Sequence, residues 1–98
     1  MYSYLSHLEC TQCGEICPCD KLIKVSPCCG KVLFARYDLA KMRKEVDRDA
    51  MAGRPPDMWR FSELLPVNDP ENVITLGEGG TPLLTAQRLG ESLGMGHL

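Results

Sequence analysis

The sequence has no apolar stretch approaching the ~20 residues that cross a bilayer, and its first residues, MYSYLSHLEC, lack the basic start and the apolar run of a secretory signal. It also has no run of like charge, since 11 Lys and Arg residues are interspersed with 13 Asp and Glu residues. These absences argue against a membrane and against nucleic acid as partners. They predict a cytoplasmic protein, and its 98 residues with 44% hydrophobic content suit one ordinary soluble domain.

All six cysteines lie in the first 29 residues. In a reducing compartment, metal binding suits such cysteines better than disulfides. A catalytic dithiol is less favoured, because no thioredoxin-like βαβ pattern surrounds any close pair. Cys10 and Cys13 have the two-residue spacing that lets one turn present two thiolates to a tetrahedral metal, and Gly14 can adopt the positive φ that the turn needs. We call residues 10–14 the first knuckle.

Residues 26–30, Ser-Pro-Cys-Cys-Gly, resemble a second knuckle, but a serine stands where the paired cysteine is expected. Serine is a poor zinc ligand, so either another residue supplies the missing ligand or the ribbon keeps its shape without metal. Cys28 is one candidate, while Cys17, Cys19 and His7 are others, and the sequence leaves this choice open. The predicted metal is zinc, and the predicted ligands are Cys10, Cys13, Cys28 and Cys29.

A short strand and a helix are expected directly after the cysteines. The apolar run in residues 32–37 is typical of a buried or half-buried strand. Asp38 can then cap a helix in which Leu39, Met42, Val46 and Ala50 recur at helical spacing. Gly53 lies just past the expected end of this helix, where glycine is a common terminator.

The second half of the chain combines a proline-rich segment with one further helix. Four of the seven prolines fall in residues 53–72, which predicts an ordered connector with a short helix near residues 58–65. A short extended piece is expected at residues 83–84. A helix is expected over about residues 86–93, ending at the glycines that follow.

The stretch TLGEGGTPLL, residues 75–84, contains three glycines around one glutamate, and we call it the glycine turn. A P-loop requires Lys and then Ser or Thr after its glycines, whereas Gly80 is followed by Thr81 and Pro82. A dinucleotide fingerprint fails as well, because the glycine spacing differs and the proline cannot continue that turn. The glycines are therefore expected to supply unusual backbone angles in a turn, with Glu78 capping or pairing locally.

Four motifs follow the cysteine-rich ribbon in a fixed order: YDL at residues 37–39, MWRF at 58–61, LLPV at 64–67 and the glycine turn. In this order they resemble the N-terminal part of threonine synthase, and the resemblance covers essentially the whole chain. The combination is more specific than any one piece. GEGGTPL alone is weaker, because related pyridoxal-phosphate (PLP) enzymes of the same fold type carry a similar TPL segment.

The resemblance implies an enzyme that converts O-phospho-L-homoserine and water into L-threonine and phosphate, with PLP held as a Schiff base by a lysine. The family's lysine lies beyond the TPL segment, whereas all five lysines of this chain precede it, the last being Lys44. We therefore expect no catalytic and no cofactor-binding residue here, and an inactive fragment of a longer enzyme. A small-molecule substrate is the implied partner, and a homo-oligomer is left open.

The expected fold is an α+β fragment with three regions. Residues 1–37 should form a small zinc-ribbon-like β-hairpin, residues 38–72 a helix and proline-rich connector, and residues 73–98 the first edge of a truncated α/β PLP domain. The leucines of the third region would lack their normal cover, so we expect disorder or aggregation after about Pro70.

Two alternative functions remain open at this point. One is a different PLP lyase of the same fold type, such as a cysteate-synthase-like enzyme. The other is a non-enzymatic zinc-ribbon module that binds a protein partner.

Overall fold

A three-stranded antiparallel sheet forms the first part of the fold. The computed structural model describes residues 1–97. Its strands are β1 (Leu5–Cys10), β2 (Ile16–Cys17) and β3 (Leu33–Tyr37), in the spatial order β2-β1-β3. Because β1 is paired on both edges, its last residue, Cys10, lies in the interior of the ribbon and is 2% exposed. The strand predicted before Asp38 is confirmed as β3.

The helix predicted after β3 starts at Leu39, directly after the predicted cap Asp38. It is α1 (Leu39–Glu45), and the Asp38 carboxylate accepts a hydrogen bond from the backbone N–H of Lys41 at 3.0 Å. This bond satisfies one of the N–H groups that have no partner within the helix.

The prediction of a single helix as far as Gly53 is wrong, because the helix breaks at Val46. Val46 is extended (φ −99°, ψ 124°), and a second helix, α2 (Arg48–Ala52), follows it. The Asp47 carboxylate accepts a hydrogen bond from the N–H of Asp49 at 3.0 Å and so caps α2. A capping aspartate within a helical pattern competes with helix continuation, and here it outweighs the apolar periodicity.

The remaining regular elements are short. The helix predicted near residues 58–65 is present as a 3-10 helix, Met58–Leu64, and a second 3-10 helix spans Pro70–Asn72. The last predicted helix is α3 (Gln87–Ser92). Residues 83–84, where the sequence predicts a short extended piece, form no strand.

Tyr4 joins the ribbon to the helices and the connector. Its backbone N–H donates to the carbonyl of Glu63 at 3.0 Å, and its own carbonyl accepts from the N–H of Asp38 at 2.9 Å. Its hydroxyl donates to Glu45 Oε2 at 2.7 Å, and the residue is only 3% exposed. These hydrogen bonds cross the boundary expected between ribbon and connector and join the two regions at Tyr4.

A largely buried ion pair stabilises the connector. The Arg54 guanidinium donates two hydrogen bonds to the Glu63 carboxylate, at 2.8 and 2.6 Å. The Glu63 side chain is 7% exposed and that of Arg54 is 33% exposed. The guanidinium lowers the pKa of the Glu63 carboxyl below its ordinary value of 4.5.

Acid should therefore weaken the fold through Glu63. A carboxylate whose pKa is lowered by folding stabilises the protein above its unfolded pKa, and this contribution is lost as the pH falls through the folded pKa. We expect Glu63→Gln to lower the free energy of unfolding by about 2 kcal/mol at pH 7 and to flatten its acid dependence. Denaturant unfolding at neutral and acidic pH measures both, with the exposed Glu71→Gln as control. A Glu63→Gln variant as acid-sensitive as the parent would contradict the prediction.

The buried apolar core of residues 1–97 is small. It consists of Tyr4, Cys10 and Cys17. The radius of gyration is 18.9 Å, against about 13 Å for a compact domain of this size. Six large apolar side chains after Pro70 are more than half exposed: Ile74, Leu76, Leu83, Leu84, Leu89 and Leu93. These side chains lack cover, as expected, and the disorder or aggregation of this stretch stays a prediction.

Candidate metal centre

Four cysteine sulfurs meet beside the end of β1. The Sγ atoms of Cys10, Cys13, Cys28 and Cys29 all lie within 4.8 Å of one another, and we call them the four-cysteine cluster. Four ligands around one tetrahedral zinc, with zinc–sulfur bonds of about 2.3 Å, are about 3.8 Å apart. The sulfurs of Cys13 and Cys28 are 3.3 Å apart. Small side-chain adjustments would therefore let this group hold one metal ion.

The first knuckle is closed by two backbone hydrogen bonds. The N–H of Cys10 donates to the carbonyl of Glu15 at 2.9 Å, and the N–H of Gly14 donates to the carbonyl of Cys10 at 3.0 Å. Gly14 has φ +79°, which few other residues adopt without strain. The turn thus follows directly from β1 and directs the first two thiols to one side.

The second knuckle is closed around a buried serine. Ser26 is 1% exposed, its N–H donates to the carbonyl of Lys31 at 2.7 Å, and its Oγ accepts from the N–H of Lys31 at 2.9 Å. The N–H of Gly30 donates back to the carbonyl of Ser26 at 2.8 Å. This arrangement brings Cys28 and Cys29 to the sulfurs of the first knuckle.

The three other candidate ligands lie outside the four-cysteine cluster. Cys17 is buried in β2. The Sγ of Cys19 lies 3.4 Å from the carbonyl oxygen of Ser6, and Nδ1 of His7 lies 3.0 Å from the hydroxyl of the same serine. The geometry therefore gathers the ligand set predicted from the sequence and leaves these alternatives apart.

The thiols of the cluster differ strongly in pKa. The backbone N–H of Cys13 and then the hydroxyl of Ser26 stabilise the Cys10 thiolate and lower its pKa to about 6. Hydrogen bonding to Cys13 is the main reason that the pKa values of Cys28 and Cys29 are raised above the ordinary 9.0. Without metal, these two cysteines keep their protons at neutral pH, and a metal ion has to displace them.

Metal affinity should consequently rise with pH. Each proton that the metal displaces changes the apparent affinity by roughly tenfold per pH unit, and thiols with raised pKa values retain their protons throughout the range from pH 6 to 8. Competition against a chromophoric chelator, corrected for the chelator's own protonation, measures this slope. Cys19→Ser, which alters a thiol outside the cluster, should show the same slope. An affinity independent of pH would contradict the prediction.

The glycine turn packs against the connector. The N–H of Met58 donates to the carbonyl of Glu78 at 3.1 Å. A Cβ on Gly79 would collide with the backbone of Met58, and one on Gly80 with the carbonyl oxygen of Pro56. Both glycines have positive φ, as expected. Sequence reasoning missed this contact, because the pairing partners are about 20 residues away along the chain and no local pattern indicates them.

Glu78 acts locally within the turn. Its carboxylate accepts a hydrogen bond from the N–H of Leu76 at 2.7 Å, which is the local capping expected from the sequence. Backbone N–H groups of the turn, led by that of Glu78 itself, lower the pKa of this carboxyl. The N–H groups of Glu78 and Leu76 are thus directed at the turn's own carboxylate, which supports the interpretation that it is not a phosphate cradle.

An open apolar groove of about 390 Å³ lies between α1, α2 and the first 3-10 helix. The residues that line it are Leu39, Met42, Arg43, Val46, Arg48, Met51, Phe61 and Leu64. No lysine is among them, so this groove cannot hold PLP as a Schiff base.

Among the described residues, no helix has the length and apolar character to span a membrane.

Two curated proteins match this chain over most of its length. The threonine synthase of Methanocaldococcus jannaschii is 34% identical over 90 residues, which are 92% of this chain and 22% of that enzyme. The threonine synthase of Methanosarcina acetivorans is 33% identical over 92 residues, which are 94% of this chain and 22% of that enzyme. No family model matches, and no solved structure matches.

This chain thus spans about a fifth of the length of these relatives. Such coverage is consistent with an N-terminal portion of an enzyme of this kind. The comparisons confirm the resemblance predicted from the motifs: over nearly all of its length, this chain is similar in sequence to part of two threonine synthases.

Proposed function

We propose that this chain is the N-terminal portion of a threonine-synthase-like PLP lyase that converts O-phospho-L-homoserine and water into L-threonine and phosphate. The observation that carries the proposal is the 33–34% identity to two threonine synthases over 92–94% of the chain. PLP supplies the electron sink for this chemistry when it is bound. A small-molecule substrate and a cytoplasmic location belong to the same proposal.

The described residues do not fit PLP themselves. All five lysines precede the glycine turn and are exposed on the ribbon or on α1: Lys21, Lys24, Lys31, Lys41 and Lys44. An exposed lysine at such a site lacks the enclosed surroundings in which a Schiff base is protected from water. The role proposed for this chain is therefore structural: the ribbon and the connector hold the glycine turn, which leads into the catalytic region.

The proposal predicts opposite results for the isolated chain and for a chimera. The purified 98-residue chain should release no phosphate from O-phospho-L-homoserine and should retain no PLP after gel filtration. A chimera in which this chain replaces the matching stretch of the Methanocaldococcus jannaschii threonine synthase should release phosphate. A chimera that folds and binds PLP yet releases no phosphate would contradict the proposal, as would an active isolated chain.

We further propose that the four-cysteine cluster binds one structural zinc ion. Four thiolates close the coordination sphere of a tetrahedral zinc, whereas catalytic zinc sites keep one position open. The thiols lie within 4.8 Å of one another, which supports a shared ion. Native mass spectrometry of protein prepared with zinc and a thiol reductant should show one zinc per chain. A chain that remains metal-free under these conditions would contradict the assignment.

A further inference from the structure

The two knuckles have the same backbone hydrogen bonds at the same spacing. In each, the N–H of the first residue donates to a carbonyl five positions later, at 2.9 Å from Cys10 and at 2.7 Å from Ser26. In each, the N–H of a glycine four positions after that first residue donates back to it, at 3.0 and 2.8 Å. Both glycines have positive φ, +79° for Gly14 and +64° for Gly30. The second knuckle is therefore a structural repeat of the first.

This repeat sets the correspondence between the side chains. Ser26 occupies the place of Cys10, and both residues are almost completely buried, at 1% and 2% exposure. Cys29 occupies the place of Cys13. Cys28 then corresponds to Gln12, which contributes no sulfur to the first knuckle, yet the Sγ of Cys28 lies within the four-cysteine cluster. The fourth sulfur thus comes from a position that differs from the one used in the first knuckle.

The Ser26 side chain stabilises the turn of the second knuckle. Its Oγ accepts a hydrogen bond from the N–H of Lys31 at 2.9 Å. The residue is 1% exposed, so this hydrogen bond is shielded from water. A cysteine at position 26 would direct its sulfur as Cys10 directs its own, because the backbone of the two turns matches.

We propose that Cys28 supplies the metal ligand that the repeat would otherwise place at position 26. We also propose that Ser26 is a positioning residue that holds the second knuckle beside Cys10. This inference rests on the proposed zinc site. The proposal implies that a cysteine introduced at position 26 can replace Cys28 as a metal ligand. The site then has the two-residue ligand spacing in both knuckles.

The test uses Co²⁺ as a spectroscopic probe in the 98-residue chain under a thiol reductant, with zinc affinity measured in parallel. Cys28→Ser should lose the four-thiolate Co²⁺ absorption and weaken zinc binding by more than roughly 100-fold, beyond the range for loss of an outer-shell partner. The double variant Ser26→Cys, Cys28→Ser should recover the four-thiolate absorption and bind zinc within about tenfold of the parent, near the lower limit of such outer-shell effects.

Ser26→Ala separates positioning from ligation. It should keep the four-thiolate absorption while weakening zinc binding by roughly 10- to 100-fold, as expected for the loss of a group that orients a ligand. Cys19→Ser, outside the cluster, should match the parent in every measurement.

Three outcomes would overturn the inference. Cys28→Ser could retain the four-thiolate absorption, the double variant could remain as weak as Cys28→Ser, or Ser26→Ala could bind zinc as the parent does. A parent chain that binds neither Co²⁺ nor zinc would instead remove the proposed zinc site, and this inference with it. Binding by the parent therefore distinguishes the two failures.

Discussion

Replacing Cys10 with serine is expected to abolish zinc binding and unfold the ribbon. Cys10 is 2% exposed and ends the central strand β1, so its replacement removes a proposed zinc ligand and places a hydroxyl in the interior. Apparent zinc-binding energies of about 10–16 kcal/mol in zinc-finger peptides exceed the stability of most small domains. The apolar core, limited among the described residues to Tyr4, Cys10 and Cys17, is too small to compensate.

Zinc content and far-ultraviolet circular dichroism of Cys10→Ser measure the two effects together. Cys19→Ser is the matched control, because it makes the same chemical change at a half-buried cysteine outside the cluster. The control should keep one zinc and the sheet. Addition of a strong chelator to the parent should reproduce the Cys10→Ser spectrum. A Cys10→Ser protein that keeps stoichiometric zinc and an intact sheet would remove Cys10 from the ligand set.

Gly80→Ala is expected to detach the glycine turn from the connector. Gly80 has φ +60°, and a Cβ there would collide with the carbonyl oxygen of Pro56. An alanine in the left-handed region costs about 1–2 kcal/mol, and relief of a backbone collision requires the turn to move. The hydrogen bond from Met58 to Glu78 should be lost as the turn moves away.

Gly77→Ala is the matched control for this change. Gly77 has φ +83°, but a Cβ there meets nothing within 4 Å, so the variant has the backbone strain without the collision. Amide hydrogen exchange of Met58 should accelerate strongly in Gly80→Ala and only slightly in Gly77→Ala. In the chimera with the archaeal threonine synthase, Gly80→Ala should lower phosphate release more than Gly77→Ala does. Equal effects of the two variants would show that the contact with Pro56 is unimportant.

The proposed zinc ion and the hydrogen bonds of the connector would both stabilise a chain that has a small apolar core among its described residues. Tyr4 joins the ribbon to α1 and the connector through hydrogen bonds, the pair of Arg54 and Glu63 stabilises the connector itself, and the proposed zinc would hold the two knuckles. Small domains commonly need such added constraints, because they bury too little apolar surface. The exposed leucines after Pro70 show that the third region does not contribute a core of its own within the described residues.

The sequence alone predicted those features that depend on neighbouring residues, namely the first knuckle and the start of α1. The spacing of Cys10 and Cys13 with Gly14 predicted the first knuckle, and Asp38 predicted the start of α1, because a turn or a cap depends on groups a few positions apart. The same locality explains the error at Asp47. Its capping ability and the helical periodicity around it are both local signals, and the sequence did not indicate which is stronger.

Contacts between distant segments were decided by the tertiary structure. The sequence left open whether Cys28, Cys17, Cys19 or His7 lies beside Cys10 and Cys13, and the way the second knuckle folds back onto β1 brings the Cys28 sulfur there. The packing of Gly80 against Pro56 likewise joins segments whose local patterns are independent. Such pairings arise from the closure of long loops around a shared site, and no short window of residues contains the information that selects them.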